Sequence, residues 1–67
     1  MSVARISEIT ASSATSFTAA IDEAIQRANQ TLKNVKGAWI KDQELVIDDG
    51  RITEYRVRMQ ITFVLTD

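Results

Sequence analysis

The chain has 67 residues, a formal net charge of −1, and no cysteine, histidine or proline. A core this small is thin, and without disulfide or zinc-cluster staples the remaining route to stability is association. Lysines and arginines are interleaved with acids, which excludes a basic track for nucleic acid. No apolar run approaches the roughly 20 residues of a membrane helix. The N-terminus MSVARISEIT has no apolar export core, so no membrane partner and a cytoplasmic location are expected.

In chain order, VARISEIT (Val3 to Thr10) is rich in β-branched types, with Val3 and Ile9 on one parity and Ile6 on the other, and reads as a strand. Ser13 then stands where it can cap a helix from Ala14 to about Lys33. Within it Phe17, Ala20, Ile21, Ala24, Ile25, Ala28 and Leu32 fall on one face, opposite Asp22, Glu23, Gln26, Arg27 and Gln30. The small residues Ala20, Ala24 and Ala28 let this helix lie close to a sheet. Asn34 and Gly37 supply stop signals.

A second extended run covers Gly37 to Asp48. Asp49-Gly50 is a type I′ hairpin signal, because glycine tolerates positive φ. The last strand alternates strictly from Tyr55 to Leu65, with Tyr55, Val57, Met59, Ile61, Phe63 and Leu65 apolar between mostly polar neighbours. The expected fold class is α+β: β-α-β-β in one domain over residues 1–67. A right-handed crossover leaves a gap that the last strand fills, giving a three-stranded antiparallel sheet of order 1-3-2 partly wrapped around one amphipathic helix.

A two-residue turn sets Asp48 opposite Arg51 and, by constant register, predicts which residues share a face. Ala38 beside Ile61 and Ile40 beside Met59 take the helix. The other face receives Trp39 beside Gln60, Lys41 beside Arg58, Gln43 beside Arg56 and Leu45 beside Glu54, and is the candidate functional face. Asp42 and Glu44 then point to the helix side. About 20 helical residues span roughly 30 Å and about 15 extended residues roughly 50 Å, so the hairpin overhangs its helix. An overhang and an uncovered face both point to a homo-oligomer.

Without histidine or cysteine there is no triad, thiol nucleophile or zinc site, and no enzyme activity is expected. Acid–base work could fall only to Asp42, Glu44 and Glu54. Asp48-Asp49-Gly50 lacks the ligand spacing of a calcium loop and is explained by the turn. Copies of Asp42 or Glu44 meeting at a symmetry axis would form a site for a hard cation, calcium or magnesium. Arg51, Arg56 and Arg58 read as a solvated or ion-paired face. Lys41 opposite Arg58 is a like-charge pair that an anionic ligand or a neighbour's acid would relieve. Trp39, the only tryptophan, offers either an interface ring or a stacking surface for a planar ligand.

With SFTAAIDEAIQRANQTLKNV in the helix and TEYRVRMQITFVL in the last strand, the chain resembles the dodecins over nearly its whole length. The resemblance implies a hollow homododecamer that stores or buffers a flavin such as riboflavin, FMN or lumichrome, stacked between tryptophans and hydrogen-bonded by a glutamine. Carried over by position, that tryptophan corresponds to Gly37 and that glutamine to Arg56, so both are replaced. Trp39 stands two residues beyond the first on the same face, and Asp42 and Gln43 match the Asp-Gln pair of some flavin-binding members. Members similar in lacking the tryptophan are associated with calcium. Two readings follow: a storage module for a planar ligand lined by Gly37, Trp39, Asp42, Gln43, Arg56, Arg58 and Gln60, or an assembly closed by protein packing, with Asp42 and Glu44 as metal ligands and no flavin site.

Overall fold

The computed structural model describes residues 3–65. They form β1 (Val3–Ser13), α1 (Phe17–Thr31), β2 (Val35–Asp48) and β3 (Arg51–Leu65). The sheet is antiparallel in the order β1-β3-β2, with the last strand filling the gap that the β1–α1–β2 connection leaves. Among the described residues no helix is long and apolar enough to cross a membrane.

The first strand runs three residues past Thr10, because Ala11, Ser12 and Ser13 continue the ladder against Val57, Arg56 and Tyr55. That moves the helix start. Ser16, not Ser13, is the N-cap, its Oγ accepting from the Ala19 N–H at 3.0 Å. Ser13 instead turns the chain out of the strand, its Oγ accepting from the N–H groups of Thr15 and Ser16. The helix closes at Thr31, two residues before the expected end, and the Leu32 N–H caps the Ala28 carbonyl at 2.8 Å. Asn34 provides the stop at φ 61°, tied by its carbonyl to the Val64 N–H. Gly37 provides none: it lies within β2, opposite Thr62.

The helix lays Ala20, Ala24 and Ala28 on Val57, Met59 and Ile61, and these six residues are the buried core. Three methyl-sized side chains let the helix axis approach the sheet closely enough to exclude water from three large ones. Each of those large side chains contributes about 1.5–3 kcal/mol on burial. Ile9, Ile21, Ile25, Leu32 and Val35 pack around the rim. At one end the Phe17 ring meets the Tyr55 ring edge-on, with centroids 5.2 Å apart.

Asp49 and Gly50 both have positive φ, 51° and 75°, as a type I′ turn needs. From there the hairpin departs from constant register. Thr53 is an extra residue on β3, and Lys41 an extra residue on β2. Between these two bulges every pair is displaced by one residue from the sequence expectation. Asp42 faces Arg58, Gln43 faces Val57, Glu44 faces Arg56 and Leu45 faces Tyr55. Beyond Lys41 the two bulges cancel, and Ile40–Met59, Trp39–Gln60 and Ala38–Ile61 pair as expected.

A bulge exchanges the two faces of a strand, since side chains alternate with period two. Three expected pairs are therefore corrected: Lys41–Arg58, Gln43–Arg56 and Leu45–Glu54 do not form. Gln43 shares the helix side with the buried Val57, whereas Asp42 and Glu44 lie on the open face.

The 15-residue helix is about 22 Å long against about 50 Å for β3. The molecule is correspondingly elongated, 51 × 19 × 13 Å, and the hairpin overhangs the helix.

Candidate ligand-binding face

The sheet face away from α1 is built in cross-strand rows. Toward the turn from the Ala4–Val64 pair, Ile6, Thr62 and Gly37 form one row, and Glu8, Gln60 and Trp39 the next. Then follow Thr10, Arg58 and Asp42, and after them Ser12, Arg56 and Glu44. The alternation of β3 places its even-numbered polar residues here because its odd-numbered apolar ones are drawn under the helix.

The charged rows are internally neutralised. Arg58 donates from Nε and Nη2 to the two carboxylate oxygens of Asp42, at 2.8 and 2.7 Å. This bidentate fork holds the Asp42 carboxyl below the ordinary carboxylate range, its hydrogen bonds outweighing desolvation, and pushes the Arg58 guanidinium up. Arg56 donates from Nη1 to Glu44 at 3.4 Å and from Nε to the Ser12 hydroxyl at 3.3 Å, and Glu54 lies 3.9 Å from its Nη2. Lys41 donates to Glu8 at 3.1 Å. The like-charge pair expected between Lys41 and Arg58 is absent, because the bulge gives each cation its own acid.

The uncharged rows differ. The Trp39 indole is 71% exposed, with Gln60 opposite it, and a side-chain carbon placed on Gly37 would meet nothing within 4 Å. Ile6, across the sheet, is also exposed. The result is a shallow ledge with an aromatic wall at Trp39, open space over Gly37 and Thr62, an apolar side at Ile6 and the amide of Gln60 as a hydrogen-bonding group. An indole beside a primary amide can stack a planar ring and bond its polar edge.

Of the residues that the sequence singles out, Gly37, Trp39 and Gln60 are brought together on this ledge. Arg56, Arg58, Asp42 and Glu44 share its face but are occupied by one another, and Gln43 is on the other side of the sheet. Ile6 and Glu8 join the face without having been expected there, whereas Thr62 follows from the alternation of β3. The off-parity position of Ile6 between Val3 and Ile9 is the signal that assigns it to this face.

Carboxylate clusters fit a divalent cation poorly within one chain. Among the described residues no three metal-ligating side chains gather, and an arginine already neutralises each of Asp42 and Glu44.

Known proteins resemble this chain in sequence and in fold. The family model described as Dodecin matches residues 3–66. Calcium dodecin of Mycobacterium tuberculosis is 34% identical over 64 residues, covering 94% of this chain and 89% of that protein. Its crystal structure, described as that of a calcium-chelating antigen with a novel calcium-binding site, superposes with a TM-score of 0.83 at 26% identity, covering 96% of this chain and 91% of that one. A variant of the Thermus thermophilus dodecin superposes with a TM-score of 0.93 at 27% identity over the whole of both chains.

Proposed function

The chain belongs to the dodecin family, and on that premise we propose that it is a non-catalytic, self-associating cytoplasmic protein, a homododecamer on the family pattern, that stores a planar aromatic ligand of the flavin type against Trp39. One observation carries the reading: the lone tryptophan is the most exposed large apolar side chain described, and it stands beside Gln60 with open space over Gly37. Single exposed apolar residues are ordinary, but an indole on a polar, ion-paired sheet face serves recognition better than folding. In this arrangement Trp39 stacks the ligand and Gln60 bonds its polar edge. Arg56 and Arg58, held by Glu44 and Asp42, form a fixed charged floor rather than direct ligand contacts.

Titration with riboflavin, followed by quenching of flavin fluorescence, tests the reading. Quenching at micromolar protein is expected, and its absence contradicts a flavin site. A second reading is favoured by the calcium dodecin relative: calcium, or magnesium, held where Asp42 or Glu44 carboxylates of several copies meet. It requires the arginines to release those acids. A calcium-dependent rise in Tm without flavin quenching would select it, since a ligand that binds only the folded state stabilises it by mass action.

A further inference from the structure

Glu8 completes the row of Gln60 and Trp39 on the open face, at the β1 side of the ledge. Its ion-pair partner is Lys41, which reaches it at 3.1 Å from the far side of β3. Two strand spacings, roughly 10 Å, separate β1 from β2, so this pair arches across β3 on the open face. Lys41 is the extra residue between Ile40 and Asp42, and it therefore comes to Glu8 from the Arg58 side of the row. The ammonium takes Oε1 alone. Among the described residues Oε2 has no hydrogen-bond partner, and it is an acceptor left open beside the ledge.

The neighbouring cations are already engaged. Arg58 gives the two donors of its fork to Asp42, and Arg56 is shared among Glu44, Glu54 and Ser12. Three cations, Lys41, Arg56 and Arg58, thus stand against four acids, Glu8, Asp42, Glu44 and Glu54. An anion approaching the ledge meets an excess of negative charge, with the Glu8 carboxylate nearest.

Resting on the flavin-type reading above, we infer that Glu8 sets the specificity of the ledge: its Oε2 accepts a hydrogen bond from a hydroxyl or ring N–H of an uncharged planar ligand, and its charge disfavours the phosphorylated form. The amide of Gln60 carries both a donor and an acceptor and suits a ring edge that alternates N–H with C=O. An ionised carboxylate only accepts, so Glu8 selects for donors and against anions. Lys41 is a positioning residue that holds the carboxylate on the open face beside Gln60. One row of the sheet is about 7 Å. At that distance in water a carboxylate weakens the binding of a phosphate dianion about fivefold.

Riboflavin and its phosphate ester FMN differ only in the charged group and make the direct comparison. At low ionic strength the wild type should bind riboflavin about fivefold more tightly than FMN. Salt at about 0.5 M should narrow that gap by screening. Glu8→Gln should bring the two affinities within about twofold of each other. It should keep riboflavin binding, since the amide oxygen still accepts, and circular dichroism checks that the fold is kept. Should Glu8→Gln misfold, the salt dependence of the wild-type preference gives the second measurement. A wild type that binds FMN as tightly as riboflavin, or a preference unchanged by salt or by Glu8→Gln, would overturn the inference while leaving the Trp39 site standing. So would tighter binding of FMN that Lys36→Gln abolishes, because Lys36 is exposed beside Gly37 and has no ion pair among the described residues. Failure of both flavins to bind would overturn the flavin reading along with it.

Discussion

The two ladders that β3 makes with its neighbours have the same strand at their centre and differ in regularity. Against β1 the register runs without a break for eleven residues; against β2 it shifts three times. The helix explains the difference. It lies mainly across β1 and β3, so a one-residue slip there would carry apolar side chains out of the core and polar ones into it. β2 lies largely outside the helix's cover, and extra residues at Lys36 and Lys41 cost it little core. Regularity follows burial on one face. Bulging is confined to the ladder that burial does not pin, and there it sets which side chains reach the open face.

That contrast can be broken at its strongest point first. Ile61, fully buried under the helix, should lose about 2–5 kcal/mol of stability as Ile61→Ala, whereas Lys36→Ala, at an exposed extra residue of the β2 ladder, should stay within about 0.5 kcal/mol. Urea unfolding of the two variants side by side measures the difference, and equal losses would contradict the division between covered and uncovered ladders. Enlarging the small side of the same contact is the next test. Ala24→Leu should cost about 1–3 kcal/mol by forcing helix and sheet apart. A smaller effect separates the two serines before the helix. Ser16→Ala should cost about 1 kcal/mol and Ser13→Ala less, by thermal unfolding, because only Ser16 bonds into the helix's first turn.

The smallest effect belongs to the exposed ion pair in the bulged ladder. The Asp42 carboxyl titrates below its unfolded value, so its stabilisation is complete above about pH 4 and is lost as pH falls through the lowered folded value. Following the Asp42 carboxyl carbon by NMR during acid titration should show a depressed midpoint that returns to the ordinary range in Arg58→Ala.

The helix's three- and four-residue spacing, the Asp49-Gly50 turn and the sheet order were legible in the sequence because each rests on local chemistry or on chain geometry. The register was not, because counting outward from the turn assumes that no residue is extra. The warning was present in the parity of the apolar residues. Ala38 and Ile40 are even-numbered while Leu45 and Ile47 are odd, and Ile52 is even while Tyr55 and Val57 are odd. Each change of parity needs one extra residue, and the bulges at Lys41 and Thr53 supply them. The two cancel, which is why Trp39 and Gln60 were placed correctly from a register that fails between them and the turn. Gln43, Asp42 and Glu44 fall in the displaced stretch, and their faces were reversed for that reason alone.

The role of Trp39 as the wall of a ligand site is the central claim. Riboflavin titrations of the wild type and of Trp39→Ala, with the mass of each recorded by light scattering, test it most directly. Micromolar flavin quenching is predicted for the wild type, and at least a tenfold loss of affinity in Trp39→Ala, about 1.4 kcal/mol, with the oligomeric mass unchanged. Equal affinity in the two proteins, or loss of the oligomer in Trp39→Ala without a change in binding, would contradict the claim and make the indole a packing residue between subunits.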